Sequence, residues 1–285
     1  MSFLKIAPRS SRASSIRLMT YNILNTDADW ERRAEIIRSG LQALDPDIVA
    51  FQETMMIEGR DQIKRLVDAG FHVVQSGDRD KGELGVSIAS RWPIERQEEI
   101  EFQVTDRQET PSIKALIAEV AAPEPFGRLI VVNHPPDAQP ERERERELQT
   151  VRVARRIEEL AANPETHAVI MGDINAEPDS ACMRYLTGKQ SLEGSSVCYR
   201  SAWQRIHPGE PCHTYTRANG IYASRTWDWP FSQLDHILIR VGDKGQPTLD
   251  ITACELAFDE PMDEVWASDH FAVVADLAIP EAGTR

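Results

Sequence analysis

The sequence predicts one α/β domain in which two β-sheets carry helices on their outer sides. Three observations lead there. The N-terminal part reads in β-α-β order, the later strands alternate apolar and polar residues as half-buried antiparallel sheets do, and no internal period or low-complexity linker divides the 285 residues. The domain is expected to span 16–280, after a lead of residues 1–15 that reads as disordered.

With 41% hydrophobic residues the chain can bury a core of that size. Its charge is strongly acidic. The 46 acidic and 32 basic residues give a formal charge of -14, which opposes non-specific binding to nucleic acid or anionic membranes, since both need clustered cations. The N-terminus has no apolar stretch of signal-peptide length, and no window reaches the roughly 20 apolar residues of a membrane helix, so a cytoplasmic location is expected. The four cysteines, Cys182, Cys198, Cys212 and Cys254, show no C-x-x-C spacing and read as small hydrophobes. That spacing also argues against a zinc site at Cys198, Cys212 and His213.

Arg17 to Leu24 is apolar and β-favouring, and Asp27 to Asp29 then looks like a helix cap. The helix itself runs Trp30 to Leu44, with Ile36, Ile37, Leu41 and Leu44 at three- and four-residue steps, and Asp45-Pro46 ends it. Asp47 to Glu53 reads as a buried strand with a polar end, followed by an amphipathic segment from Arg60 to Ala69. Further strands are predicted at Phe71 to Gln75, Leu84 to Ala89, Ile94 to Val104, Ile113 to Val120 and Arg128 to Asn133. The tract Glu141-Arg-Glu-Arg-Glu-Arg-Glu147 is charge-balanced, so it reads as the solvated start of a helix whose apolar stripe is Leu148, Val151, Ala154, Ile157 and Leu160. A strand from His167 to Met171 leads into Gly172-Asp-Ile-Asn175, and helix resumes after Pro178 to about Leu186. Strands return at Leu234 to Val241, Leu249 to Leu256 and His270 to Leu277.

Polar residues recur where the apolar strands stop: Asn22, Gln52 and Glu53, Asn133 and His134, Asp173 and Asn175, Asp235, and Ser268-Asp269-His270. Any one of them has an ordinary explanation as a turn or cap residue. Together, so many carboxylates, amides and imidazoles at strand ends call for an ion or a charged ligand. Carboxylate and amide oxygens without thiolates suit a hard cation, which points to Mg²⁺, with Mn²⁺ able to replace it, and to Glu53 and Asp269 as its ligands. With a phosphate on that metal, Asp173 would take a proton from an attacking water while Asn175 donates to a phosphoryl oxygen. His134 and His270 are the two candidates for the imidazole that stabilises charge or protonates the leaving oxygen. Asp235 would orient one of them.

In order along nearly the whole chain, "TYNIL", "FQE", "NH", "GDIN", "LDHI" and "SDH" resemble the endonuclease/exonuclease/phosphatase superfamily, which includes DNase I-like enzymes. The resemblance implies a four-layer α/β/β/α sandwich of two mainly antiparallel sheets, and Mg²⁺-dependent hydrolysis of a phosphate ester by in-line attack of water. It also implies that Asn22 and Glu53 lie on the metal and phosphate, His134 on the phosphate or leaving group, and Asp269 on the metal or as an orienting carboxylate. Asp173 and Asn175 would position the nucleophile, and Asp235 would pair with His270. Many members have Arg-Ile-Asp where this chain has Gln233-Leu234-Asp235, and the Glu that pairs with the first His has only Glu83 as a counterpart.

Fold and motifs leave the substrate open. The aromatic loop from Arg217 to Phe231, with Trp227 and Trp229, is where substrate contacts are expected. The acidic charge favours a small or lipid-like phosphodiester, with DNA or RNA cleavage as the alternative and a non-catalytic binding role as a third reading.

Overall fold

The apolar runs of the sequence become buried strands and the inner faces of helices in a computed structural model, which describes residues 14–281 apart from 27, 58, 78–83, 108–112, 227–231 and 244. The first half contains β1 (Ile16–Asn22), α1 (Trp30–Leu44), β2 (Ile48–Thr54), the short pair β3 (Met56–Ile57) and β4 (Arg60–Asp61), and α2 (Gln62–Leu66). It continues with β5 (His72–Gln75), β6 (Gly85–Ser90), β7 (Ile94–Ile100), β8 (Ala115–Ala121) and β9 (Arg128–Asn133). The second half contains α3 (Glu143–Leu160), β10 (His167–Asp173), α4 (Ala181–Leu186), β11 (Tyr199–Ser201), α5 (Ala202–Ile206) and α6 (Gly220–Ala223). It ends with β12 (Asp235–Arg240), β13 (Asp250–Ala257) and β14 (Ala272–Ala278).

Two six-stranded sheets form, in the orders β13-β14-β1-β2-β6-β5 and β11-β12-β10-β9-β8-β7. Each has one parallel pair, β1 with β2 and β9 with β10, and is otherwise antiparallel. Ile16, Leu18, Ile48 and Val273 of one sheet meet Leu116, Val131, Val169 and Ile239 of the other in the central core. Outside it, α1 and α2 cover the first sheet through Ile37, Leu41 and Ile63, while α3 and α4 cover the second through Val151, Ile157 and Met183. The result is the expected α/β/β/α layering.

Local chemistry explains where the elements begin and end. On α1 the buried positions Trp30, Arg33, Ala34, Ile37, Leu41 and Leu44 form one stripe, and Asp45 closes the helix in a left-handed conformation with its N–H on Leu41 O. Asp29 occupies the N-cap position, but its side chain makes no cap bond, and Asp27 lies outside the described residues. The helix expected over 60–69 shrinks to α2, because Arg60–Asp61 pair with Met56–Ile57 and Asp61 then caps by accepting from Ile63 N.

The charged tract departs most from its solvated reading. Glu145 and Arg146 are buried, because Arg146 donates to the carbonyls of Asp137, Gln139 and Pro140 while Thr105 donates to Glu145. Polar side chains on α3 therefore hold the chain that follows β9. Cys182, Cys212 and Cys254 are buried and free, as read from their spacing, whereas Cys198 is free but exposed. Among the described residues no helix is long and apolar enough to cross a membrane.

Candidate active site

The two parallel pairs bring the C-terminal ends of β1, β2, β9 and β10 to the same edge of the sandwich, the usual place for ligand chemistry in such sheets. Antiparallel β12 begins there too. Asp173 and Asp235 sit directly across from each other in register, an arrangement that like charges disfavour.

Asn22, at the end of β1, bridges two carboxylates: its Nδ2 donates to Glu53 Oε1 at 3.1 Å and to Asp173 Oδ2 at 3.0 Å. Asn25 N donates to the other oxygen of Glu53 at 3.0 Å. Glu53 has a φ of 56°, left-handed for a residue that gains nothing from it, and the pairing of β2 with β6 slips between Phe51 and Thr54. Such a conformation costs about 1–3 kcal/mol and persists where surrounding structure imposes it. Asn175 is also left-handed, with a φ of 53°, so the chain turns as it leaves β10 after Asp173. Asn175 N donates to Asp173 Oδ1 at 3.2 Å and its Nδ2 donates to Pro136 O at 3.0 Å.

His270 joins the opposed aspartates. Its Nδ1 lies 2.9 Å from Asp235 Oδ2 and its Nε2 3.8 Å from Asp173 Oδ2. Burial alone would lower the imidazole pKa, but the facing charges of Asp235 and Asp173 outweigh it and raise it, which favours imidazolium. Asp173 is pushed up, first by burial and then by Asp235 and Glu53, with His270 and Asn22 pulling the other way. Tyr215 packs its ring 4.7 Å from that of His270, and the Thr214 hydroxyl accepts from Leu234 N and Asp235 N.

Asp269 stands beside this chain. Arg225 donates to its Oδ2 and the Ser268 hydroxyl lies 3.3 Å from its Oδ1. Behind the edge, Arg33 is only 2% exposed and donates to the carbonyls of Ile23, Leu24, Thr26 and Ala267. It therefore ties the loop after β1 to the loop before Asp269. Its signal in the sequence was an arginine inside the apolar stripe of α1, where no solvated cation belongs.

Not every expected site residue joins this cluster. His134 is fully buried, with its ring 5.4 Å from that of Phe102 and Nε2 at 3.1 Å from Thr150 Oγ1, while Nδ1 has no hydrogen-bond partner among the described residues. Burial lowers its pKa to about 3, so it stays neutral and carries no charge to a phosphate. Asn133 and Gln52 also turn inward: Gln52 donates to Asn133 Oδ1, and Asn133 donates to Phe51 O and Ser87 O. Trp227, Trp229 and Glu83 lie outside the described residues.

Gly172 makes the close approach of β10 to the His134 backbone possible. A Cβ there would lie 2.7 Å from His134 O, and its φ of 149° disfavours other residues. Gly172→Ala should lower unfolding free energy by about 1–3 kcal/mol, the range for overpacking, as urea titration would measure. A loss of only a few tenths would show that the strand adjusts freely.

The donor set suits a hard divalent cation. Glu53 and Asp269 are carboxylates, Asn22 Oδ1 accepts from Leu24 N at 3.0 Å, and the buried Asp235 Oδ1 has no hydrogen-bond partner among the described residues. The mutually closest potential ligands are Asp173, Asp235 and His270, within 4.8 Å of one another. The Nδ1 of His270 already faces Asp235, which fits that trio for proton handling.

Residues 19–270 match the sequence profile of the Endonuclease/Exonuclease/phosphatase family. The chain belongs to this family. Membership in the endonuclease/exonuclease/phosphatase family makes the protein a hydrolase of that family. The fold is shared with D. rerio TDP2 complexed with single strand DNA product, at a TM-score of 0.70 and 20% identity over 93% of this chain and 99% of that one. It is shared with truncated Caenorhabditis elegans TDP2, at 0.69 and 17% over 93% and 97%. The human Nocturnin catalytic domain with bound sulfate anion aligns at 0.68 and 20% over 94% and 95%. None of the curated proteins matches the sequence.

Proposed function

We propose that the protein is a divalent-metal-dependent phosphodiesterase that works by in-line attack of water on phosphorus. The observation that carries this reading is the buried Asp235–His270–Asp173 chain with Asn22 and Glu53 at its end. Mg²⁺, or Mn²⁺ in its place, would be held by Glu53 and Asp269 with Asn22. When bound, that cation neutralises charge on the phosphoryl oxygens.

Asp173 accepts the proton of the attacking water, a role that suits a carboxylate whose pKa burial has raised. Asn175 Nδ2 donates to Pro136 O at 3.0 Å and, over a longer 3.4 Å, to Asp173 O, and it would exchange that longer contact for a phosphoryl oxygen. His270, kept cationic by Asp235, faces the charge that builds on the phosphoryl group and can protonate the leaving oxygen. His134 serves from behind, holding α3 through Thr150. Such a centre needs only one phosphodiester, consistent with a small substrate.

Bis(p-nitrophenyl) phosphate tests the reading directly. Turnover should vanish with EDTA and return with Mg²⁺ or Mn²⁺. Full turnover in EDTA would rule out metal dependence, and no turnover with any divalent ion would rule out the phosphodiesterase itself.

A further inference from the structure

On the outer side of the first sheet, α1, α2, the residue before β5 and the turn after β6 converge on a cavity of about 320 Å³. Part of its wall is apolar. Leu41 and Leu66 are buried there, and Val67 and Phe71 are half-buried. The rest is cationic, with Arg38, Lys64, Arg65 and Arg91 all lining the same space.

Two of these cations are answered within the fold. Arg65 meets Glu31 and Arg91 meets Asp45, both at 2.9 Å. Arg91 also donates to Pro46 O and lies 4.4 Å over the Phe71 ring, so a fixed guanidinium holds the aromatic part of the wall. The side chains of Arg38 and Lys64 have no ion pair or hydrogen bond among the described residues. Lys64 stands in the last turn of α2, where a cation suits the helix dipole, but Arg38 lies midway along α1 and has no such reason. Asp68 is the carboxylate of the wall, and its Oδ1 accepts from Gly70 N. Three carboxylates thus stand against four cations, which leaves one positive charge over in a chain of net charge -14.

This place is remote from the proposed chemistry. Arg91 N donates to Asp47 O just before β2, and Glu53 comes six residues later along that strand, roughly 20 Å at strand spacing. The cavity is at the small end of the range for ligand sites, about 300–1,000 Å³, so it admits a compact ring system and excludes a diacyl lipid or an oligonucleotide. A polyphosphate would bring more charge than the wall can answer and would leave the apolar residues against water. A neutral hydrophobe would gain nothing from Arg38 and Lys64. We propose that this cavity binds a small amphiphilic monoanion, a carboxylic acid with a compact apolar ring system, whose carboxylate meets Arg38 and Lys64 while its rings cover Leu41, Leu66, Val67 and Phe71. Charge-assisted hydrogen bonds hold the head, and burial of the rings supplies the apolar part of the affinity. The site uses neither the cation nor the nucleophile of the catalytic edge, so it stands apart from the phosphodiesterase reading.

Isothermal titration calorimetry with naphthoate tests the site, in EDTA so that no divalent ion at the catalytic edge can take up the carboxylate. The parent should bind naphthoate. Naphthamide keeps the rings without the charge, acetate keeps the charge without the rings, and each should bind about tenfold or more weakly. Arg38→Gln combined with Lys64→Gln changes two exposed side chains and should bring naphthoate down to the affinity of naphthamide, while the thermal midpoint and the turnover of bis(p-nitrophenyl) phosphate stay those of the parent. Should that variant fold poorly, the three ligands on the parent still decide the matter. The proposal is overturned if the parent does not bind naphthoate, if naphthamide or acetate binds as well as naphthoate, if the folded variant keeps the parent's affinity, or if the parent binds only phosphatidylglycerol vesicles.

Discussion

Asp173→Asn should lower kcat on a phosphodiester by about 10²- to 10⁴-fold, the usual range for losing a general base. The folded protein should become no less stable, and its thermal midpoint should hold or rise. The reason is the geometry of β10 and β12, which sets two buried carboxylates across from each other with His270 alone to balance them. Removing one charge relieves that repulsion, and an amide oxygen can still accept from Asn22 Nδ2. Measured together, kcat and the midpoint separate a functional group from a structural one. Normal turnover would remove Asp173 from the chemistry, and a large fall in the midpoint would mean that its bond to Asn22 mainly supports the fold.

Arg33→Ala should cost about 3–5 kcal/mol of unfolding free energy, the range for removing one member of a buried charged network. Five carbonyls, those of Ile23, Leu24, Thr26, Ala28 and Ala267, would lose their shared donor, the Ile23 and Ala267 contacts being fully buried. The guanidinium also lies in the field of Asp269 and Glu53, so its loss should reduce turnover through the loops that carry them. Lysine should rescue little, because one ammonium cannot reach five carbonyls set around a planar fork. Urea unfolding of Arg33→Ala and Arg33→Lys checks both statements. A loss under about 1 kcal/mol in the alanine variant would show that the loops find other partners.

Much of the fold was legible because apolar periodicity and chain punctuation are local. Trp30–Leu44 and Arg128–Asn133 have the bounds that their patterns indicate, since the same stripe that marks a helix or strand in sequence is what packs. The candidate site was legible as residue types at strand ends, and Asp173, Asp235, His270, Asn22 and Glu53 do come together. Direction was not legible. Nothing local distinguishes His134, which turns under Thr150, from His270, which turns to Asp235, because a histidine at the end of a strand can face either side of its sheet. Equally, the balanced signs of Glu141 to Glu147 could not reveal that Arg146 would be drawn inward by three carbonyls separated from it in sequence by six to nine residues.

The sequence by itself determined the elements, their α/β order, the acidic charge and the family motifs, because these depend on neighbours along the chain. The tertiary structure alone decided which polar ends meet. Asp173 faces Asp235 through strand register, Glu53 reaches the edge through a bulge in β2, and Arg33 joins two loops more than two hundred residues apart.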